Sequence, residues 1–100
     1  MSFTVRWTEE AVADIEELYE FLSLRNPAAA EKALYAMRKA IEMLERFPFS
    51  CRVAAQRGDA VLRELVIPFG RRGYVALFEI EDEHTVTILA VRHQREDDYH

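Results

Sequence analysis

The side chains best suited to bind phosphate or move a proton lie in the second half of the chain. They are Arg63, Arg71, Arg72, Arg92, His93, Arg95 and Tyr99. A guanidinium group binds phosphate or carboxylate through several N–H donors, and histidine or tyrosine can exchange a proton. Arg63 falls inside a predicted strand, where an unpaired buried charge is costly. A salt bridge to Glu79 or Glu64 is therefore the structural alternative to a functional role, just as His93 could simply cap the last strand.

Two arginine groups are predicted to form a target-binding surface. Arg71 and Arg72 lie in a glycine-flanked turn, where side chains are free to reach a partner, and Arg92 and Arg95 follow the last predicted strand. Both groups project from strand ends, and guanidinium groups suit carboxylate or phosphate recognition. The structural alternative is a solvated turn that favours arginine.

Other kinds of catalytic or metal site lack the residues they need. Cys51 is the single cysteine, which excludes an internal disulfide and fits a reducing compartment. Its neighbours establish no cationic pair that would activate the thiol. The three histidines show no zinc-ligand spacing, and no glycine-rich phosphate loop occurs. We therefore expect no metal and no cofactor.

Composition predicts one small packed domain over residues 1–100. Half of the residues are hydrophobic, and the net charge of −5 argues against a general nucleic-acid binder. Charge is unevenly placed, because residues 46–72 carry six arginines against two acidic residues. No apolar run approaches the roughly 20 residues of a membrane span, and no signal peptide is evident. We expect a cytoplasmic protein without membrane contact.

The hydrophobic pattern predicts a strand, a helical hairpin and then three strands. The first strand covers residues 3–7, and Thr8 is placed to cap a helix that runs to about Leu24. Asn26 and Pro27 restart a second helix that reaches about Arg46. The stretch to residue 59 has no clear period, and strands follow at 61–67, stopping at Pro68, at 74–80 and at 85–91. Short turns predict an antiparallel meander, so the fold class is α+β with helices over one sheet face.

Two further expectations concern the ends of this pattern and its core. The polar residues 92–100 are expected to form a short tail on the edge of the sheet. Most of the aromatic residues are expected to fill the core: Phe3, Trp7, Tyr19, Phe21, Tyr35, Tyr74 and Phe78.

Element order, length and three local segments resemble the RelE/ParE toxin superfamily. The opening FTVRWTEEA resembles the strand that enters a helix, and Ala11, Ala13, Asp14 and Ile15 match that helix's "A…D(I/L)" pattern. LREL at 62–65 and GYVALFEI at 73–80 resemble the arginine-bearing strand and the next strand of the meander. TVTILAVRHQR at 85–95 resembles the closing strand with its Arg-His pair. The resemblance covers nearly the whole chain.

This resemblance implies a bacterial type II toxin with one of two targets. ParE-like members inhibit DNA gyrase without chemistry of their own, whereas RelE-like members cut messenger RNA on the ribosome. RelE-like members are strongly basic, but this chain is acidic and has only Lys32 and Lys39, which favours the ParE-like branch. The alternative is a metal-independent endoribonuclease that uses Arg63, Arg92 and His93. Either activity would arrest growth, and plasmid stabilisation is the associated role.

The resemblance also implies a neutralising protein partner. We expect a ParD-like antitoxin whose C-terminal segment folds over exposed apolar surface, in a higher-order toxin–antitoxin hetero-oligomer. The contacts proposed for it are apolar side chains that the core does not fully absorb: Tyr19, Leu22, Leu24, Tyr35 and Phe49.

Overall fold

A computed structural model of the chain describes residues 2–70 and 72–93, with the side chain of Arg72 left out of the description. Its elements are β1 (Thr4–Trp7), α1 (Glu9–Arg25), α2 (Pro27–Arg46), a short 3-10 turn (Pro48–Ser50), β2 (Arg52–Arg57), β3 (Ala60–Phe69), β4 (Arg72–Ile80) and β5 (Thr85–His93). Within this described part, no helix has the length and apolar character needed to cross a membrane.

The five strands form one sheet in the order β1-β5-β4-β3-β2. Strands β2 to β5 form an antiparallel meander, and β1 pairs in parallel with β5, so that Val5 lies opposite Val86. The core lies between the two helices and one face of this sheet, with Phe78, Ile88, Val86 and Leu44 fully buried. The predicted α+β fold, with a helical hairpin over a sheet, is confirmed.

Strand β2 was not predicted, and β3 is longer than predicted. All six residues of Arg52–Arg57 are exposed, so the strand has no buried face. Its sequence therefore lacks the alternation of apolar and polar residues that indicates a strand. The prediction that β3 stops at Pro68 is wrong, because β3 continues to Phe69. Among the described strands, β2 pairs with residues 60–64 of β3, so Pro68 lies beyond the end of the β2 pairing, where proline is tolerated in a strand.

Both helices begin at the predicted caps. The Thr8 hydroxyl accepts the N–H of Ala11 at 3.1 Å, and the Asn26 side chain accepts the N–H of Ala29 at 3.2 Å. The second helix buries the small-residue stripe that its spacing predicts, which lets the hairpin pack closely. The members that are buried are Ala30, Ala33, Met37 and Leu44.

Side chains of α1 and its cap continue the pairing of β5 beyond the end of β1. The last residue of β5 that pairs with β1 is Ile88. The Thr8 hydroxyl then donates to the carbonyl of Leu89 at 3.1 Å, and the Asp14 carboxylate accepts the N–H of Val91 at 2.9 Å. These bonds satisfy backbone groups that would otherwise lack a partner, and they fix α1 on the sheet.

The structure corrects the two expectations about aromatic residues and the C-terminal tail. Phe78 and Tyr74 are buried as expected, but Trp7 is 36%, Phe21 55% and Tyr35 59% exposed. The expected tail does not begin at residue 92, because 92 and 93 belong to β5, an interior strand. Residues 94–100 lie outside the described part of the chain.

Candidate functional site

Arg63 forms a structural clamp instead of the expected salt bridge. Its guanidinium donates to the carbonyl of Cys51 at 2.7 Å and to that of Phe49 at 3.4 Å. The group also lies 5.5 Å from the centre of the Phe49 ring. Glu64 pairs instead with Arg52. The predicted pairing with Glu79 or Glu64 is therefore wrong, because backbone carbonyls of the segment before β2 take the donors of Arg63.

Cys51 is a buried thiol without the surroundings of a nucleophile. Burial raises the pKa of Cys51, and the nearby positive charge of Arg63 opposes that shift only in part. A raised pKa keeps the sulfur protonated at neutral pH, and the thiolate is the reactive form. Among the described residues no group of histidine, cysteine and carboxylate side chains could hold a metal ion.

His93 packs under α1 at the end of β5. Its ring meets the Tyr74 ring edge-on at 5.4 Å, and Tyr74 in turn stacks on Phe69 at 5.7 Å. Burial raises the pKa of the Tyr74 hydroxyl, so this phenol is protonated at neutral pH. His93 thus belongs to an aromatic row on the helix-covered side of the sheet.

The three residues of the alternative nuclease set do not converge. Arg92 and His93 are consecutive in β5, so their side chains point to opposite faces of the sheet. Arg63 pairs with Phe78 and His93 with Tyr74, which separates them along β4 by four residues, roughly 13 Å at ~3.3 Å per residue. RNA cleavage needs a general base, a general acid and a cation within reach of one phosphate. These three side chains are not placed around one such point.

The proposed target-binding arginines map to one end of the sheet, as far as they are described. We call the "arginine end" the edge formed by the β3–β4 turn, the start of β4 and the end of β5. Arg72 pairs with Phe69, and Arg92 pairs with Val75, which places their backbones at this end. Arg92 is exposed, and its register opposite Val75 places its side chain on the face without helices, although the residue also borders the recess between α1 and His93. Its guanidinium has no described hydrogen-bond or ion-pair partner. Arg71 and Arg95 lie outside the described residues, as does Tyr99.

The residues expected to contact an antitoxin are exposed to different degrees and occupy separate places. Leu24 is 82%, Phe49 64% and Tyr35 59% exposed, whereas Tyr19 and Leu22 are half-buried. The Tyr19 hydroxyl donates to Glu31 at 3.1 Å, which links α1 to α2. Leu24 ends α1, Tyr35 lies on α2, and Phe49 lies in the 3-10 turn.

Sequence reasoning missed exposed apolar residues near these positions. Phe21 precedes the inward residue Leu22 by one position, so on a helix it turns about 100° away from the core stripe, and this spacing was the available signal. Arg25 lies over the Phe21 ring at 4.5 Å. Val53, 55% exposed on the unpredicted strand β2, gave no such signal.

Comparisons with known proteins agree with this fold. A family model described as the ParE toxin of the type II toxin–antitoxin system parDE matches residues 5–98. Toxin RelE2 of Caulobacter vibrioides is 32% identical over 91 residues, spanning 89% of this chain and 92% of that protein. The chain therefore belongs to the ParE toxin family of type II toxin–antitoxin systems, within the RelE/ParE superfamily that its sequence resembles.

Two solved structures show the same architecture. A chain from the chromosomal ParDE system of P. aeruginosa superposes with a TM-score of 0.71 at 19% identity, covering 92% of this chain and 96% of that chain. A chain from the toxin–antitoxin complex RelBE2 of Mycobacterium tuberculosis superposes with a TM-score of 0.58 at 28% identity, covering 93% and 99%.

Proposed function

We propose that this toxin arrests growth by binding and inhibiting DNA gyrase, without chemistry of its own. The observation that carries the proposal is the dispersal of the alternative nuclease set: Arg92 and His93 point to opposite sheet faces, and carbonyls occupy Arg63. The matching family model is that of the ParE toxin, the branch that the sequence resemblance associates with gyrase inhibition. A binding inhibitor needs only a complementary surface, whereas RNA cleavage needs a positioned acid and base.

The arginine end is the proposed gyrase contact. Arg92 presents an exposed guanidinium there, and the backbone of Arg72 lies two strand positions from a glycine turn. Guanidinium groups bind carboxylate or phosphate through paired N–H donors, which suits either the enzyme or its bound DNA. Arg71 and Arg95 belong to the same proposal on their sequence position.

We further propose a protein antitoxin as the neutralising partner, in a hetero-oligomer. The 28%-identical chain comes from a toxin–antitoxin complex, and the family is defined by such pairs. Exposed Leu24, Tyr35 and Phe49, with the half-buried Tyr19 and Leu22, are the proposed contacts. An antitoxin segment that folds onto the toxin could reach all three places, since an ordering chain can wrap a large surface.

A ribosome-dependent nuclease is the second candidate, because the 32%-identical relative is named RelE2. On this alternative, His93→Ala would abolish toxicity with the fold intact, and messenger RNA would be cut in the ribosomal A site. Gyrase inhibition predicts instead that His93→Ala remains toxic and that no such cleavage appears.

The deciding experiment is DNA supercoiling by purified gyrase with increasing amounts of toxin. We expect dose-dependent inhibition that added antitoxin reverses. Arg92→Glu should raise the inhibitory concentration by about tenfold or more, because it replaces an attractive charge with a repulsive one. Arg57→Glu, an exposed arginine on β2, is the matched control and should change it little. Unchanged supercoiling at every dose, with toxicity in cells retained, would refute the proposal.

A further inference from the structure

A recess opens at the end of the sheet opposite the arginine end. It lies where β3 and β5 begin and β4 ends, and its volume is about 580 Å³. We call it the acidic pocket. Its apolar lining is Phe3, Phe49, Val61 and Ile80, and its charged lining is Asp59, Arg63, Glu79, Glu81, Asp82 and Glu83.

The apolar floor is a fixed aromatic surface left open to solvent. Phe49 is 64% exposed, yet its ring meets Phe3 edge-on at 6.2 Å and has the Arg63 guanidinium at 5.5 Å. The surrounding turn is also held, because the Ser50 hydroxyl donates to the carbonyl of Phe47 at 2.7 Å. A large apolar side chain held in position and exposed is typical of an interface anchor.

The charged rim is acidic and has little internal compensation. Five carboxylates face one guanidinium, and Arg63 directs its donors to the carbonyls of Cys51 and Phe49. The backbone N–H of His84 donates to Asp82 at 2.8 Å and lowers the pKa of that carboxyl, so Asp82 stays ionised. Carboxylates without a described cationic partner, placed around an apolar floor, are complementary to a segment that carries both cationic and apolar side chains.

We propose that the acidic pocket receives a lysine- or arginine-bearing segment of the cognate antitoxin, with an apolar side chain of that segment packed on Phe49. The inference rests on the proposed antitoxin partnership and adds the chemistry of the segment. The exposed Phe49 ring supplies apolar contact area. The carboxylates of the rim supply electrostatic attraction, which salt screens. The arginine end lies at the opposite end of the sheet and is not part of this contact.

A charge-reversed variant tests the rim without disturbing the fold. Asp59 and Glu83 are exposed and have no described hydrogen-bond partner, so Asp59→Lys/Glu83→Lys neutralises the net negative charge of the rim and breaks no described contact. The control, Glu16→Lys/Glu42→Lys, makes the same change in net charge on exposed positions of the two helices and loses only the exposed ion pair of Glu42 with Lys39, which contributes little to stability. Melting temperatures of both variants should match the unchanged toxin.

The affinity of the purified toxin for the antitoxin encoded beside it is the readout, measured by calorimetry at low and high salt. The rim variant should bind about tenfold or more weakly at low salt, with the loss shrinking as salt screens the charges. Phe49→Ala should bind about tenfold more weakly at both salt concentrations. The helix control should stay within about twofold of the unchanged toxin.

The results that would overturn the pocket assignment differ from the result that would overturn the antitoxin partnership itself. If the unchanged toxin binds the antitoxin and the rim variant binds equally well, or if the helix control weakens binding as much, the pocket assignment is wrong. Self-association of the toxin alone that the rim variant abolishes would assign the pocket to a second copy of this chain. No complex with the unchanged toxin would overturn both the antitoxin partnership and the inference.

Discussion

Removing the Asp14 carboxylate should destabilise the protein more than removing any other carboxylate of α1. Asp14 accepts the N–H of Val91 at 2.9 Å, and Val91 is only 5% exposed. With Asp14→Ala this N–H loses its described acceptor, and only water from the neighbouring recess could replace it. Leaving a buried donor unsatisfied costs about 1–3 kcal/mol. For a domain of this size each kcal/mol corresponds to roughly 4–8 °C, so we expect a fall in Tm of about 5–20 °C.

Circular dichroism during heating and guanidinium unfolding would measure this effect. Asp14→Asn keeps an oxygen that can accept the same N–H, so its loss should be about half that of Asp14→Ala or less. Glu16→Ala, an exposed carboxylate on the same helix, is the control and should shift Tm by no more than about 2–4 °C. If Asp14→Ala and Glu16→Ala had the same Tm, the hydrogen bond between α1 and β5 would contribute nothing to stability, and the reasoning would be refuted.

Two further predictions concern Cys51, Tyr74 and Arg63. Burial raises the pKa of both Cys51 and Tyr74, so the folded state holds protons that the unfolded state releases, and stability should fall as pH rises above 9.0. The double variant Cys51→Ala/Tyr74→Phe should lose this alkaline slope in unfolding curves; a persisting slope would contradict the assignment. Arg63→Lys replaces a guanidinium that spans two carbonyls and should cost about 1–2 kcal/mol in guanidinium unfolding, with the exposed Arg57→Lys as control. Equal stability of these two variants would show that the clamp is dispensable.

The fold was largely predictable because its signals are local. Thr8 and Asn26 are side chains that satisfy helix N–H groups within three residues, so spacing in the sequence indicates them directly. Strand β2 carries no such signal, since both of its faces meet solvent and its place is set by pairing with β3. The continuation of β3 through Pro68 depends on where β2 ends, which is also a property of the assembled sheet.

The candidate site was less predictable because it depends on faces and distant neighbours. The sequence placed Arg92 and His93 together, but consecutive strand residues lie on opposite faces, and only the position of α1 shows which face is covered. Arg63 was expected to find a carboxylate, yet its partners are carbonyls 12 and 14 residues earlier in the chain. Every residue has a backbone carbonyl, so no pattern of side chains indicates which carbonyl an arginine will bind. The clamp formed by Arg63 therefore had no signal in the sequence.

The parallel pairing of β1 with β5 has a consequence for the order of folding. Residues 4–7 are made before residues 85–88, which are their one strand neighbour in the described structure. Such a long separation in sequence slows folding, because the intervening loop must close before the contact can form. During synthesis the first strand therefore waits, with Val5 and Trp7 lacking the strand they pair with, until β5 has left the ribosome. The toxin acquires its complete sheet only after nearly all of this sequence has been translated.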